Sequence, residues 1–449
     1  MPIKVIIIAG TRPEFIKLAP LIKLIEKDKE FTLLFIDSGQ HYDYNLNKKI
    51  MNDLELTSPK ININVGSGTH GYQIGTMIIE IEKILKKHDP DIVIAQGDTN
   101  TVISCALATR KCDKCFMHLE AGIRSFDKRM PEEVNRILTG ECSMYHLAPT
   151  ERAALNLLFE GIDRKSIFIV GNTIVDAVLQ TKEIAHSKSK IFDELNIKNE
   201  RPLILITLHR PANVDNKNNL ELFVNTLINL TDFQFIFPIH PRTKNNLKKF
   251  NLLRKIEKAE NIIHTDPLGY LDFSYLFSKS FCVLTDSGGI QEEASILKVP
   301  CITLRNNTER PETIEYGSNI LVSRDMKRLK SELYHIKSDP NYLKGSDAKN
   351  PFGNGKAAFK IVELIKQLKI NDLLNYKDSK LWKGIPIKIL STVNEQDIQL
   401  SVKEYEDKYF SEIQIIFDKK GNAHFPYDNR FLKKDDKLLI NSFINEKSS

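Results

Sequence analysis

Short apolar runs and amphipathic stretches alternate along this chain almost from its first residue. Residues 4–9 (KVIIIA) are nearly all apolar, as in a strand covered on both faces, and residues 15–26 place apolar positions at helical spacing. A second strand is predicted over 31–37. In 73–85, Ile74, Met77, Ile78, Ile81 and Leu85 share one helical face. Residues 92–96 and 115–120 read as further strands, each followed by a turn and a helix. Strand–helix alternation of this kind predicts a parallel sheet.

The pattern restarts at Pro202. Residues 203–207, 233–238, 262–264, 281–284 and 301–304 read as strands with helical stretches between them. The predicted fold class is therefore α/β, with two Rossmann-like domains, 1–185 and 186–369. The stretch 185–202, rich in Lys, Ser and Asn, marks the boundary. Pro351-Phe352-Gly353-Asn354-Gly355 makes a turn before a last helix over 356–368, which is expected to pack back on the first domain. The pattern changes again after about residue 370. Short strands over 387–390, 413–417 and 437–440, with a turn at 419–422, predict a small α+β module over 381–449.

Composition narrows the partners. The 449 residues are 41% hydrophobic and 27% charged, with a net charge of +6, ordinary for a globular chain of two or three domains. Lys and Arg are spread rather than blocked, so nucleic acid is not implied, while the mild positive bias suits a small anionic substrate. Residues 1–9 are too short for a secretory signal, and no apolar run reaches the roughly 18 residues of a membrane span. The six cysteines are scattered. Cys112 and Cys115 form a CxxC with no second ligand pair at zinc spacing, so they read as structural, with no metal. A reducing cytoplasm fits this usage.

Ligands of parallel sheets sit beyond the carboxyl ends of the strands, and the chemically suggestive residues fall there. Asp286-Ser287-Gly288-Gly289 follows a strand and opens a helix, where backbone amides and the helix dipole suit a phosphate. Glu293, one turn on, could hold ribose hydroxyls; a tight turn with Glu293 solvated fits equally well. Asp98 and Glu120 end two strands. Glu132 lies at the start of a helix, where acids are also favoured for structural reasons. Three carboxylates gathered at one place would raise one another's pKa and could divide proton transfers between them. His209, followed by Arg210, could neutralise a leaving diphosphate or be a buried structural ring. Arg12, Lys17 and Arg310 are further cations for that charge.

Taken together, Gly10-Thr11-Arg12-Pro13-Glu14, Gln96-Gly97-Asp98-Thr99, His118-Leu119-Glu120-Ala121-Gly122, Met130-Pro131-Glu132-Glu133-Val134-Asn135-Arg136, Gly171-Asn172-Thr173, residues 285–294 and Thr308-Glu309-Arg310-Pro311-Glu312 closely resemble the non-hydrolysing UDP-N-acetylglucosamine 2-epimerases. The resemblance spans about residues 3–368. It implies a GT-B-like fold with a cleft between the two domains. It also implies reversible epimerisation at C2 of UDP-N-acetylglucosamine, giving UDP-N-acetylmannosamine through elimination and re-addition of UDP, with no cofactor, in a cytoplasmic homodimer serving cell-surface polysaccharide synthesis. Position by position, Asp98, Glu120 and Glu132 match the family's catalytic acids and His209 its essential histidine. Arg12, Lys17, Ser287, Gly288, Gly289, Glu293 and Arg310 match positions binding UDP or the sugar. Phe273 matches the aromatic near the uracil, and Leu268 a position that would contact it through the backbone. Gln40 and His41 match part of a second, activating UDP-N-acetylglucosamine site.

There are departures. Pro211 and Ala212 follow His209-Arg210 where the family has a Glu, which weakens both the loop's role and the activating site. Residues 381–449 lie outside the family. Residues 404–440 resemble an RCK C-terminal (TrkA-C-like) module, with a strand over 409–417, a turn at 419–422 and a closing strand within 431–440. Such modules dimerise or bind a small effector. The rival readings are a GT-B glycosyltransferase, a hydrolysing 2-epimerase, a 2-epimerase of a related UDP-diacetamido sugar, and a catalytically silent nucleotide-sugar sensor acting through the C-terminal module.

Overall fold

The computed structural model describes residues 1–40, 50–198, 200–339, 341–343, 350–375, 386–409 and 411–443. The described residues fall into two compact units. One draws on Met1–Tyr44, Ser58–Asn172 and Ala358–Ser449, the other on Asn45–Thr57 and Thr173–Ala357.

The first unit is built on strands β1 (Ile3–Ala9), β2 (Phe31–Asp37), β3 (Ile61–Asn62), β4 (Ile92–Gln96), β5 (Cys115–Leu119), β6 (Tyr145–Ala148) and β7 (Ile167–Ile169). They form a parallel sheet in the order β3-β2-β1-β4-β5-β6-β7. Helices cover both faces, which is why β1 and β4 read as unbroken apolar runs: all five residues of β4 are buried. The predicted helix over 73–85 is His70–His88, and its Met77, Ile81 and Leu85 enter one core with Ile6, Ile8 and Val93. The CxxC divides between two elements. Cys112 ends the helix Asn100–Lys111, and Cys115 begins β5 as a buried thiol. The sequence pattern does not predict strands β6 and β7, of four and three residues, which extend the sheet beyond β5.

The second unit repeats the plan with β8 (Leu203–Thr207), β9 (Gln234–Pro238), β10 (Ile262–Thr265), β11 (Cys282–Thr285), β12 (Cys301–Thr303) and β13 (Asn319–Leu321). The order is β10-β9-β8-β11-β12-β13, again parallel. Both sheets are thus Rossmann-like, and each reverses its strand order once, at β1/β4 and at β8/β11.

The last helix, Ala357–Ile370, is tied to the first unit. Lys366 pairs with Asp28 and Glu30 at 2.7 Å each, and Lys369 with Asp91 at 2.9 Å. After it, β14 (Pro386–Thr392), β15 (Glu412–Phe417), β16 (Ala423–His424) and β17 (Lys437–Phe443) make an antiparallel sheet in the order β14-β17-β15-β16. The strand expected from residue 409 begins instead at Glu412, because Tyr409 closes a helix, Val402–Tyr409. Ser401 and Glu404 start that helix reciprocally: the Glu404 carboxylate accepts from the Ser401 amide at 2.7 Å, and the Ser401 hydroxyl accepts from the Glu404 amide at 3.2 Å. The module docks on the first unit through Ile415 and Phe425, which share a core with Ala121, Ile123, Ala153 and Leu157. Arg164 donates to the Pro426 carbonyl and to Glu406, both at 2.9 Å.

Candidate functional site

A strand-order reversal leaves a crevice beyond the strand ends where neighbouring loops part. In the first unit that place is flanked by the Gly10–Glu14 turn after β1 and the Gly97–Thr99 turn after β4. Gly10 is held tightly: a Cβ there would lie 1.9 Å from Ser38 Oγ and 2.4 Å from Thr101 Oγ1. Arg12 opens the helix Arg12–Lys27 and Lys17 follows one turn later. Lys17 Nζ lies 2.6 Å from Glu120 Oε1, and Asn172 Nδ2 donates to the same oxygen at 2.8 Å. Glu120 itself has φ of 62°, a conformation uncommon outside glycine and frequent at functional positions. Two residues on, the Gly122 turn (φ 82°) presses on the helix Glu151–Phe159, since a Cβ on Gly122 would lie 2.0 Å from the Ala153 carbonyl oxygen. Chain packing therefore fixes the Glu120 loop.

Asp98 is gripped from the helix Pro131–Cys142. Arg136 Nη2 reaches its Oδ2 at 2.5 Å, and Asn135 Nδ2 donates to its backbone carbonyl at 2.9 Å. Arg136 is steadied by Glu133, 2.7 Å away and buried, whose other bonds come from the Ser125 and Phe126 amides. Glu132, one residue earlier, is exposed. The structure thus gives Asp98 and Glu120 a cation each. Glu14 has a raised carboxyl. Burial pushes it up to about 7 against the pull of hydrogen bonds from Thr99, Gly10 and Thr11, with the charge of Asp98 adding to the rise.

Two histidines lie in the strands behind these acids. Burial holds His118 down at about 3 and His146 at about 4, despite bonds to the Gly97 and Gly140 carbonyls that favour the charged rings. Both rings stay neutral in the fold, whereas an unfolded histidine charges near 6.5. The unfolded chain therefore takes up their protons first, and stability is full above pH 6.5 and falls as the pH drops toward the folded values. By pH 5 each ring should have removed about 2 kcal/mol. Urea midpoints at pH 7 and pH 5 check this in a Glu14→Gln background, which removes the opposing protonation of that buried acid; a midpoint unchanged between them would show that neither ring is held neutral.

Gln40 Oε1 accepts from the Thr101 amide at 2.9 Å and its hydroxyl at 2.7 Å, so this side chain caps the helix Asn100–Lys111. His41, its expected companion in an activating site, lies outside the described residues.

In the second unit the reversal lies between β8 and β11, and its centre is Asp286, fully buried. Its carboxylate accepts from the amides of His209 and Arg210, the latter at 2.9 Å, and from Asn213 Nδ2 at 2.9 Å. His209 Nδ1 stands 3.3 Å from Asp286 Oδ1. Burial lowers the His209 pKa, with Arg210 and His240 adding to the fall, and the nearby Asp286 charge recovers only part of it. The loop in which Pro211 and Ala212 replace an expected Glu forms a short helix, Pro211–Val214, anchored by Asn213. Arg210 Nε is buried without a hydrogen-bond partner, a donor of the sort a bound anion satisfies.

Ser287 is the N-cap of the helix Gly288–Leu297. A Cβ on Gly289 would meet nothing within 4 Å, and one on Gly288 would approach only Glu309 Oε2, at 3.5 Å. The helix end is therefore open to a ligand that uses its amides. Arg310 Nε pairs with the buried Glu292 at 2.6 Å, and Arg305 takes Glu309 with both nitrogens at 2.8 and 2.9 Å. Burial alone would raise Glu309, but the Arg305 bonds and the two arginine charges outweigh it and hold the carboxyl at about 2. Glu293 is half-buried one turn into the helix. Leu268 and Phe273 flank the start of the helix Tyr270–Lys279 and pack, partly buried, on the core of Leu276 and Val283.

Within the first unit the structure brings together Lys17, Glu120 and Asp98 with three residues the sequence reading left unassigned: Glu14, Arg136 and Asn172. Within the second it joins His209 to the Ser287 turn through Asp286, also unassigned. Each stands within a motif quoted above, but the partner that gives it a role lies 38 to 85 positions away.

The family model described as UDP-N-acetylglucosamine 2-epimerase matches residues 23–366. The UDP-N-acetylglucosamine 2-epimerase of Methanocaldococcus jannaschii is 50% identical over 369 residues, covering 81% of this chain and 98% of that protein. A crystal structure of the M. jannaschii enzyme in complex with UDP-GlcNAc and UDP superposes with a TM-score of 0.72 at 49% identity, over 81% of this chain and 100% of the other. The Neisseria meningitidis UDP-GlcNAc 2-epimerase bound to UDP-GlcNAc gives 0.74 at 31% identity, with the same coverage. A family match across most of the chain, with a half-identical relative covered almost end to end, places this chain in the UDP-N-acetylglucosamine 2-epimerase family.

Proposed function

We propose that the protein interconverts UDP-N-acetylglucosamine and UDP-N-acetylmannosamine. The observation that carries this reading is a division of labour between two strand-order reversals. One gathers carboxylates with Lys17 and Arg136, and the other an open helix N-terminus with His209, Arg210 and Arg310. A carboxylate among Asp98, Glu120 and Glu132 takes the C2 proton as the C1–O bond breaks and UDP leaves with the bonding pair. The 2-acetamidoglucal is then protonated at C2 on its other face, and a diphosphate oxygen adds back to C1. Atoms and charge balance with no external reagent.

The Ser287, Gly288 and Gly289 amides suit the diphosphate, with Arg12, Arg310 and His209 offsetting its charge. Glu293 suits the ribose hydroxyls, and Leu268 and Phe273 the uracil. We place the enzyme in the cytoplasm as a homodimer; among the described residues no helix is long and apolar enough to cross a membrane. The module over 381–449 is read as an accessory body open to a small effector, added beyond the end of the family match at residue 366.

NMR of UDP-N-acetylglucosamine incubated with the protein in deuterated water tests the reaction. UDP-N-acetylmannosamine carrying deuterium at C2 is the expected product. Free sugar would indicate hydrolysis instead, and an unchanged spectrum would leave a transferase or a sensor.

A further inference from the structure

Glu14 is only 4% exposed, yet it carries an ionisable group to the strand-order reversal of the first sheet. Two of its bonds have an ordinary explanation. Oε2 accepts from the Gly10 and Thr11 amides at 2.7 and 3.0 Å, as an acid at the third helical position does when it reaches back to the helix start. The third bond does not follow from helix capping. Thr99 Oγ1 meets Glu14 Oε1 at 2.5 Å across 85 residues of sequence, joining the turn after β4 to the turn after β1.

Thr99 follows Asp98 and is the N-cap of the helix Asn100–Lys111. On its far side Asp98 is held by Arg136 and Asn135. One turn beyond Glu14, on the same helix, Lys17 grips Glu120. The Gly10 turn packs closely on Ser38 and Thr101, where a Cβ at Gly10 would lie 1.9 and 2.4 Å from their hydroxyl oxygens. Glu14 is thus the piece shared by the turn that bears Asp98 and the helix that fixes Glu120.

We propose that Glu14 is a positioning residue for the proton-transfer step, fixing the spacing between Asp98 and the Lys17–Glu120 pair through Thr99. This rests on the epimerase reading above and adds a residue to it. Misplacement of reacting groups by about 1 Å can cost a hundredfold in rate, so a loosened brace should appear in kcat. Substrate affinity, which draws largely on the diphosphate contacts, should change little.

Three variants of the full-length protein test it, with melting temperature as the control for folding. Thr99→Val removes only the cross-link and should lower kcat at least tenfold, with KM for UDP-N-acetylglucosamine within about threefold of wild type. Glu14→Ala should do the same or worse. Glu14→Gln should retain most of kcat, since its amide oxygen can accept from Gly10 and Thr11 while its NH2 group bonds the Thr99 hydroxyl. Wild-type kcat in Thr99→Val overturns the proposal. So does a Glu14→Gln variant as slow as Glu14→Ala, which would mean that the charge matters and not the brace. Should Glu14→Ala not fold, Thr99→Val still decides, because Thr99 is half-buried. The two readings fail separately: a wild-type protein that incorporates no deuterium at C2 removes the reaction, whereas an active wild type with an unimpaired Thr99→Val removes only the role of Glu14.

Discussion

Asp98→Asn should lower kcat by about 10³-fold while UDP still binds with near wild-type affinity, because general acid–base groups contribute on the order of 10² to 10⁴. The substitution keeps the shape of the side chain and removes only its basicity. Arg136 is not left uncompensated, since it keeps its 2.7 Å pair with the buried Glu133. The backbone of the turn remains anchored by Asn135 and Thr99. The fold should therefore survive, and the loss should be chemical. Coupled measurement of C2 deuteration and of UDP binding by calorimetry separates the two. Turnover close to wild type would mean that Asp98 is not among the groups that handle the proton. Glu132, exposed on the helix that supplies Arg136, is the comparison: its amide variant should also be strongly impaired if it takes part, and near normal if it is only a first-turn acid.

The second large effect is expected at His209 and the carboxylate beneath it. His209→Ala should cost about 10²-fold in kcat, the scale on which a single group that stabilises developing charge is felt. Asp286→Asn should cost nearly as much, although it is fully buried and sits behind the ring. Its carboxylate accepts from the His209 and Arg210 amides and from Asn213, and stands 3.3 Å from the ring Nδ1. An asparagine can replace one accepting oxygen but brings an amino group against donors. The ring and the Arg210 backbone would then lose the geometry that presents them beside the Ser287 turn. Steady-state kinetics alongside UDP titration checks both variants. An Asp286→Asn enzyme with unchanged kcat would show that His209 needs no orientation from below.

The two parallel sheets were legible in the sequence because helix-covered strands are written as unbroken apolar runs: Ile92–Gln96 and Leu203–Thr207 were placed residue for residue. The turns after the strands were legible too, since Gly, Asp, Ser and His interrupt apolar runs where the chain must turn and meet solvent. The short strands Tyr145–Ala148, Ile167–Ile169 and Asn319–Leu321 escaped notice. Three or four residues hold too little periodicity to stand apart from a buried loop, and they become strands only because a neighbouring edge offers hydrogen bonds. Tyr409, where a strand is expected to begin, closes a helix for a related reason: the helix start depends on the reciprocal Ser401–Glu404 bonds, and Tyr405 and Tyr409 meet with ring centroids 4.6 Å apart.

By itself, then, the sequence determined where strands end and which reactive side chains stand at those ends, because burial periodicity and turn chemistry are local properties of the chain. It could not determine which charge each reactive group meets. That Lys17 grips Glu120, that Arg136 holds Asp98, that Asp286 lies under His209 and that Glu14 is shut away from water are consequences of strand order. Strand order is decided by the packing of whole helices against whole sheets, and electrostatic partners follow from distance in space, to which distance along the chain is no guide.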